Sequence, residues 1–389
     1  MISYMLSKLA RQTENTLELQ ASGDLAAALG GFELVFEALQ YYEQIGYSRE
    51  AGTIYRRVLS SQTQPEMVLL FHGLIQHYRR KYHDAREALE RALLLSPENP
   101  PLQIYLARAC AAAGDFQAAF SIYTRLIDNN IATTTARDGI FMLMAEQAMP
   151  GDDYYAWLKE FHDRLAPATY VEIGLGHGRS LALAGPGTTA VGIDPYQGFW
   201  RQLNYASPHR EASLFPLASD DFFGQHDLAT VLGQQSFDLA FIDGLHLFEQ
   251  VLKDFINLER YARTDSVILI HDCLPVDPVV AERERCTGFW TGDVWRIIPC
   301  LKTFRPDLRI MTIPTKPSGL GFVTCLDPSS TVLADNYEAI IKYYLSLHCP
   351  ETFNECCVIC SVGSLSPDEI PVFRNAGSRY SLRLHDSHP

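Results

Sequence analysis

The stretch that decides the fold runs Tyr170-Val171-Glu172-Ile173-Gly174-Leu175-Gly176-His177-Gly178-Arg179-Ser180, and Val191-Gly192-Ile193-Asp194 follows it. An apolar strand leads into three alternating glycines, and a second strand ends in an acid about 20 residues later. Glycines permit the tight turn and let a ligand approach the main chain, while an acid at that place can accept both hydroxyls of a ribose. The pattern predicts a nucleoside cofactor site, and therefore an enzyme.

Composition and charge indicate the number of domains and the kinds of partner that the protein can have. The chain has 389 residues, 47% of them hydrophobic, which is enough for two or three globular domains with a sizeable core. Its formal net charge of -14 argues against a nucleic-acid or anionic-membrane partner. The sequence shows neither a long apolar run nor a signal pattern at its N-terminus, so we expect a cytoplasmic protein without a membrane span.

The nine cysteines fit reduced thiols better than a disulfide framework. Cys357 and Cys360 have the spacing of metal ligands, and Cys349 and Cys356 lie near them in the sequence. Because there is only one such pair, we favour buried or incidental thiols over a zinc site.

The first third of the chain is helical and repetitive. Gly46, Ala51 and Tyr55 recur 34 residues on as Arg80, Ala85 and Leu89, and again as Gly114, Ala119 and Tyr123. This period resembles that of tetratricopeptide repeats, in which small residues stand where paired helices touch. An earlier hairpin, broken at Gly23-Asp24, is expected to cap the stack. The repeats either bind a partner protein or only support the domain that follows.

From residue 151 onward, short apolar runs alternate with helical periods. This alternation predicts an α/β fold with a doubly wound, mostly parallel sheet of seven strands. We expect the helical repeat domain at 1–150, the cofactor-binding domain at 151–330, and a C-terminal helix and tail at 331–389, with the boundary near Pro150-Gly151. The predicted strands are 170–173, 189–193, 213–216, 239–242, 267–270, 309–313 and 321–325.

The spacing of the glycines distinguishes between cofactors. Dinucleotide sites favour a third glycine at the position that Arg179 occupies. The form found here, Glu172-x-Gly174-x-Gly176-x-Gly178, resembles the first motif of class I S-adenosylmethionine-dependent methyltransferases. The resemblance covers roughly residues 150–327 and implies a Rossmann-like methyltransferase fold. Only Arg179 to Ala184 separate the loop from Gly185-Pro186-Gly187, so the helix after the loop is expected to be short.

In that family the loop holds the methionine end, the acid on the second strand holds the ribose, and a later acidic segment contacts the adenine. Carried over residue by residue, the resemblance implies a cofactor site made of Glu172, Gly174, Gly176, Gly178, Asp194, Ser219 and Asp220.

Two more polar groups follow the fourth and fifth predicted strands. Asp243-Gly244-Leu245-His246 follows one of them, and His271-Asp272 follows the other. Ligands of parallel sheets bind beyond the carboxyl ends of the strands, so we expect both groups to face the crevice of the glycine loop. Carboxylates there could hold a divalent cation that orients a hydroxyl and lowers its pKa. Alternatively His246 takes the proton itself, or the group is only a structural hydrogen-bond network.

These two groups resemble those of small-molecule and sugar O-methyltransferases of the macrocin type, whose acids at these strand ends bind magnesium. The resemblance implies O-methylation of a small-molecule or glycan hydroxyl with Mg²⁺. The candidate catalytic residues are Asp243, His246 and His271, and the candidate metal ligands are Asp243, His271 and Asp272.

A glycine-punctuated aromatic loop follows the fifth strand. Within it, Trp290 and Asp293 are the candidate acceptor-binding residues, whereas Trp295 is expected to begin a packed helix. Two other functions stay open: an NAD-dependent Rossmann oxidoreductase or epimerase, and a tetratricopeptide scaffold with a non-catalytic cofactor-binding domain. A Tyr-x-x-x-Lys, Tyr155 to Lys159, precedes the glycine loop rather than following it, which disfavours the oxidoreductase. The oligomeric state is open, and a homo-oligomer is one expectation.

Overall fold

The computed structural model describes residues 2–21, 25–44, 47–176, 178–196, 212–365 and 370. The chain divides into two compact units: Met1–Met144 with Thr287–Phe289, and Ala145–Cys286 with Trp290–Pro389. The hairpin break expected at Gly23-Asp24 and the repeat position Gly46 lie outside the described residues. No helix in the described part of the chain is long and apolar enough to cross a bilayer.

The described residues of the first unit are mainly helical. Local signals fix several helix starts: Pro65 and Pro100 occupy first-turn positions, and the Asp115 side chain accepts the backbone N–H of Ala118. The helices are α1 (Ile2–Ala21), α2 (Leu25–Gln44), α3 (Ser48–Ser60), α4 (Pro65–Tyr78), α5 (Tyr82–Leu95), α6 (Pro100–Ala112), α7 (Phe116–Asp128) and α8 (Thr133–Ala148), which extends into the second unit.

The 34-residue recurrence corresponds to helix contacts within this unit. Ala51, Ala85 and Ala119 are all fully buried. A Cβ atom on Gly73 of α4 would meet the Leu89 side chain of α5 at 2.6 Å, so the two helices approach closely at this glycine. The predicted stack of paired helices is confirmed.

The second unit holds a seven-stranded sheet. Its order is β3-β2-β1-β4-β5-β7-β6, in which β7 runs antiparallel to β5 and β6 and the other pairs are parallel. Each predicted strand is present, with bounds that shift by at most one residue. The strands are β1 (Thr169–Ile173), β2 (Thr189–Ile193), β3 (Ala212–Phe215), β4 (Leu239–Ile242), β5 (Val267–His271), β6 (Arg309–Ile313) and β7 (Leu320–Thr324).

The central strands are continuous apolar runs in the sequence because both of their faces are buried. Every residue of β1, β4, β5 and β7 is buried, whereas the edge strands β3 and β6 carry exposed positions. On one face, α9 (Tyr154–Leu165) packs Leu158, Phe161 and Leu165 into the core. The other helices are α10 (Ser219–Gln225), α11 (Leu228–Leu232), α12 (Phe248–Glu259), α13 (Ile297–Phe304), α14 (Val332–Asp335), α15 (Tyr337–Tyr344) and α16 (Phe353–Ile359).

Strand order reverses at β1, which has β2 on one side and β4 on the other. In open parallel sheets, this switch point leaves a crevice beyond the carboxyl ends of the strands. The glycine loop opens into it, and a single 3₁₀ turn, Leu181–Leu183, stands where related folds begin a long helix. Gly185-Pro186-Gly187 ends that turn, because a helix does not continue through this sequence.

Candidate functional site

The glycine loop is packed tightly at one glycine and open at another. Gly174, Gly176 and Gly178 have φ angles of 87°, 47° and 74°, in the left-handed region that favours glycine. A Cβ atom on Gly174 would lie 2.0 Å from the carbonyl oxygen of Asp243, whereas one on Gly176 would meet no described atom within 4 Å. The main chain at Gly176 is therefore accessible to a ligand.

Glu172 lies beneath this loop and is fully buried. Its carboxyl group accepts hydrogen bonds from the Tyr170 hydroxyl, at 2.8 Å, and from the Ser180 hydroxyl. Burial raises the pKa of Glu172 to about 8, although the two hydrogen bonds act in the opposite direction. Glu172 thus ties the end of the loop to β1.

Asp194 follows β2 and organises the loop through main-chain groups. Its Oδ2 atom accepts the N–H groups of Leu175, at 2.7 Å, and Gly176, at 3.2 Å. Its Oδ1 atom accepts the N–H of Tyr196 at 2.7 Å. The parallel register, Ile173 opposite Ile193, brings the acid next to the glycines as the sequence predicts.

Ser219 and Asp220 begin α10, and their hydrogen bonds run to α12. The Gln250 amide donates to Ser219 Oγ at 3.1 Å and to Asp220 Oδ1 at 3.0 Å, and Lys253 Nζ lies 3.0 Å from Asp220 Oδ2. These donors, Gln250 first, hold the pKa of Asp220 below its ordinary value. Asp220 also lines an open cleft of about 730 Å³ between α12 and residues 334–339.

Four charged side chains meet at the ends of β4 and β5, and we call them the His–Asp cluster: Asp243, His246, His271 and Asp272. His271 Nδ1 lies 3.1 Å from Asp243 Oδ1 and 3.3 Å from Asp272 Oδ1. His246 Nδ1 lies 3.1 Å from Asp272 Oδ2, and its Nε2 lies 3.4 Å from Asp243 Oδ1. The structure therefore brings together all the candidate catalytic and metal-binding residues.

Mutual neutralisation dominates the electrostatics of this cluster. Burial alone would lower the pKa of both histidines, but the carboxylates outweigh it and raise the pKa of His246 to about 9 and that of His271 to about 10. Burial would raise the pKa of the two acids, but the histidines, His271 first, hold it below its ordinary value. Without a ligand, the cluster is a set of imidazolium–carboxylate pairs.

Only part of the cluster has the geometry of a metal site. Asp243, His246 and Asp272 each offer a ligand atom, and these atoms lie within 4.8 Å of one another. His271, which the sequence suggested as a ligand, lies between the two carboxylates through Nδ1, and its buried Nε2 has no hydrogen-bond partner within the described residues. Two carboxylates and one imidazole suit a divalent cation such as Mg²⁺ or Mn²⁺.

The C-terminal cysteines do not form a comparable group in the described part of the chain. Cys349, Cys356, Cys357 and Cys360 are free thiols.

The backbone is strained at two members of the cluster. His246 and Asp272 have φ angles of 59° and 61°, which residues other than glycine rarely adopt. Such conformations persist where the surroundings hold them, and they concentrate at functional sites. Asp272 is held by the Ser318 hydroxyl, which donates to its Oδ1 atom.

Trp290 and Asp293 occupy different environments. The Trp290 ring stacks on His246 with a centroid distance of 5.3 Å, and its indole N–H donates to the Glu282 carbonyl at 2.6 Å. Asp293 is fully buried and accepts hydrogen bonds from the Phe248 N–H and Arg283. Only Trp290 is placed to meet a ligand at the cluster. Trp295 is 2% exposed, as expected for a packed residue.

Sequence reasoning missed two tyrosines at the start of α9. The Tyr154 ring lies 4.0 Å from the His271 ring, and Tyr155 packs between Tyr154 and the Arg179 guanidinium. The signal was Asp153, which caps the helix and so fixes both aromatic residues in its first turn. Lys159, the other end of the Tyr-x-x-x-Lys, forms an ion pair with Asp163 on the helix surface.

The sequence matches two known protein families. Residues 171–273 match a methyltransferase domain, and residues 78–130 match a tetratricopeptide repeat. No curated protein matches the chain.

Solved structures give weak overall similarity. The O-methyltransferase TomG from Streptomyces achromogenes, involved in tomaymycin synthesis and solved with S-adenosylmethionine, is 15% identical over 45% of this chain and 80% of its own, with a TM-score of 0.34. An O-methyltransferase from Bacillus cereus, solved with S-adenosylhomocysteine, is 15% identical over 53% of this chain and 97% of its own, with a TM-score of 0.33. The two family matches agree with the sheet order and the glycine loop: a methyltransferase domain follows tetratricopeptide-like helical repeats.

Proposed function

We propose that the protein transfers the methyl group of S-adenosylmethionine to a hydroxyl oxygen of a small molecule or a sugar, assisted by a divalent cation. The observation that carries this proposal is the His–Asp cluster, which stands at the ends of β4 and β5 beside the open glycine loop at the end of β1. The methyltransferase domain would comprise residues 151–330. The repeats in 1–150 would support it or bind a partner protein, and residues 331–389 would form a C-terminal extension.

The residues of the loop fit the cofactor. The accessible main chain at Gly176 suits the methionine end, with Gly174 and Gly178 shaping the turn and Glu172 holding it from below. Asp194 uses three of about four acceptor positions on main-chain N–H groups, so it keeps capacity for a ribose hydroxyl. We place the adenine near Ser219 and Asp220, following the family resemblance. When bound, the cofactor supplies a methyl group attached to a sulfonium sulfur, which is a good leaving group.

For the reaction, the protein must orient a hydroxyl and help remove its proton. Asp243, His246 and Asp272 fit a divalent cation, which supplies Lewis acidity that lowers the pKa of a coordinated hydroxyl. Holding the acceptor in line can contribute up to roughly 7 to 11 kcal/mol. The alternative, in which His246 alone acts as the base, requires its imidazole in the neutral form.

The acceptor would lie against Trp290. Its ring continues the surface of His246, so a sugar or a flat acceptor could pack on it beside the cluster. Asp293, buried with charged donors, would act on the acceptor only through the loop that carries it.

Calorimetric titration with S-adenosylhomocysteine and, separately, with NAD tests the cofactor. We expect S-adenosylhomocysteine to bind and NAD not to bind. Asp194→Ala should weaken S-adenosylhomocysteine binding more than tenfold, because the N–H groups of Leu175 and Gly176 lose their acceptor. Asp163→Ala, which removes an acid on the surface of α9, is the control. Binding of NAD alone would refute the proposal, and binding of neither compound would favour a non-catalytic scaffold.

A further inference from the structure

We infer that Arg283 and Asp293 are positioning residues that hold His246 in its place within the His–Asp cluster. This inference rests on the proposed methyltransferase site and deepens it. The relevant segment is residues 243–247, which joins β4 to α12 and carries both Asp243 and His246. β4 fixes one end of this segment, and the start of α12 forms its other end.

The start of α12 is capped from a distant part of the chain. Leu247, at the position that precedes the helix, has no side chain able to accept a hydrogen bond. Instead, the Phe248 N–H donates to Asp293 Oδ1 at 2.8 Å. Asp293 is fully buried, so this bond is shielded from water.

Arg283 connects this cap to the first turn of α12. Its Nη1 atom lies 2.6 Å from Asp293 Oδ2 and 2.9 Å from Glu249 Oε2, while its Nη2 atom lies 2.6 Å from Glu249 Oε1. Arg296 adds a contact of 3.2 Å to the same Asp293 oxygen. A guanidinium can bridge two carboxylates in this way because its donors form a fixed planar fork, which a lysine lacks.

Residues 290–293, which include Asp293, also contact His246 directly. A Cβ atom on Gly292, with φ 56°, would lie 1.9 Å from the His246 carbonyl oxygen. The Trp290 carbonyl lies 3.0 Å from His246 Nδ1, and the Trp290 ring stacks on the imidazole. Thr291 fixes this stretch further, because its N–H and hydroxyl both donate to the Val280 carbonyl. A shift of residues 290–293 would therefore displace His246.

These contacts explain how His246 keeps its unfavourable φ angle. A strained conformation persists only where its neighbours constrain it, and here the constraints are Gly292, Trp290 and the capped start of α12. Neither Arg283 nor Asp293 contacts the glycine loop through the bonds described above. Their loss should disturb ligands of His246 and leave the nucleoside end of the site intact.

The test uses the full-length chain and three variants. Arg283→Met removes the bridge, Arg283→Lys keeps the charge without the planar fork, and Arg263→Met is the matched control. Arg263 and Arg283 have side chains that are 39% and 38% exposed, and each pairs with a buried aspartate. The measurements are Mn²⁺ binding by electron paramagnetic resonance, S-adenosylhomocysteine binding by calorimetry, and amide hydrogen exchange of a peptide that covers residues 244–250.

We expect Arg283→Met to weaken Mn²⁺ binding at least tenfold and to speed exchange in the peptide, with S-adenosylhomocysteine affinity within threefold of wild type. Arg283→Lys should recover part of the Mn²⁺ affinity. Arg263→Met should change neither the Mn²⁺ affinity nor the hydrogen exchange of the peptide. Wild-type Mn²⁺ affinity and exchange in Arg283→Met would overturn the inference. If the wild type binds no Mn²⁺, the metal part of the proposed function fails, and unchanged exchange in Arg283→Met would then refute the positioning role separately.

Discussion

The glycine loop and the His–Asp cluster stand at the ends of neighbouring strands, yet they are held together by different interactions. In the loop, the contacts are mostly made by main-chain groups: Asp194 accepts N–H groups of Leu175 and Gly176, and Gly174 packs on the Asp243 carbonyl. The buried acid beneath the loop, Glu172, has two hydroxyl donors and no cationic partner among the residues that the structure describes. The shape of the glycine loop is therefore set by backbone angles more than by charge.

The cluster depends on charged side chains instead. Its four members belong to two strand ends, and Ser318, Tyr154 and Trp290 support them from remote parts of the chain. Removing one partner from a buried set of opposite charges leaves the others uncompensated, at a cost of about 3–5 kcal/mol. We therefore expect the loop to be sensitive to added volume and the cluster to be sensitive to lost charge.

The largest effect is expected from added volume in the loop. Gly174→Ala places a methyl group 2.0 Å from a backbone oxygen at φ 87°, so the loop has to move. We expect a melting temperature lower by several degrees and S-adenosylhomocysteine binding weaker by more than 100-fold. Differential scanning calorimetry and titration calorimetry measure the two effects.

Gly176→Ala is the control for this prediction. Its methyl group would meet no described atom within 4 Å, and only the φ angle of 47° is unfavourable, which costs about 1 to 2 kcal/mol. Its binding should weaken more than its stability does, because the methyl group would enter the space we assign to the cofactor. Equal loss of stability in both variants would show that the packing on Asp243 is unimportant.

Lost charge in the cluster should separate metal binding from cofactor binding. Asp272→Asn retains the left-handed backbone, which asparagine tolerates, but removes a carboxylate ligand. We expect Mn²⁺ affinity to fall more than 30-fold and S-adenosylhomocysteine affinity to stay within threefold. With a panel of hydroxyl acceptors, S-adenosylhomocysteine formation should be abolished.

Asp265→Asn, at an exposed ion pair with Arg263, is the control for this substitution. The same result is expected for Asp243→Asn as for Asp272→Asn. If both cluster variants turned over at the wild-type rate, the divalent cation would have no place in the reaction.

The difference between the two regions also explains what the sequence could predict. The loop, β1 and Asp194 lie within 25 residues of one another, and their conformation follows from glycine spacing and apolar runs. The 34-residue recurrence marks positions at helix contacts, such as Leu89, which lies against Gly73. Such features are local, so the seven strands and the helical repeats could be predicted without coordinates.

Side-chain partners could not be predicted in the same way. The way in which His246 meets the two acids depends on its φ angle and on its contact with Trp290, which is remote from Asp243 in the sequence. The sequence predicts Asp293 as an acceptor-binding residue, whereas the side chain is buried and pairs with Arg283 and Arg296. Asp220 likewise reads as a cofactor residue, whereas its present partners, Gln250 and Lys253, come from α12.

The finest test of the comparison concerns Glu172. Its pKa is raised from the ordinary value of 4.5 to about 8, chiefly by burial. Between these two pH values the native state keeps a proton that the unfolded chain has lost. The stability contributed by the protonated carboxyl is therefore fully present below about pH 4.5 and is lost as the pH rises through 8.

Glu172→Gln cannot titrate, so its free energy of unfolding should rise relative to wild type across this window, by at most about 1.4 kcal/mol per pH unit. Other titrating groups largely cancel in the difference between the two urea-unfolding series. Parallel curves would mean that Glu172 is ionised in the native state, and the loop would then depend on charge as the cluster does.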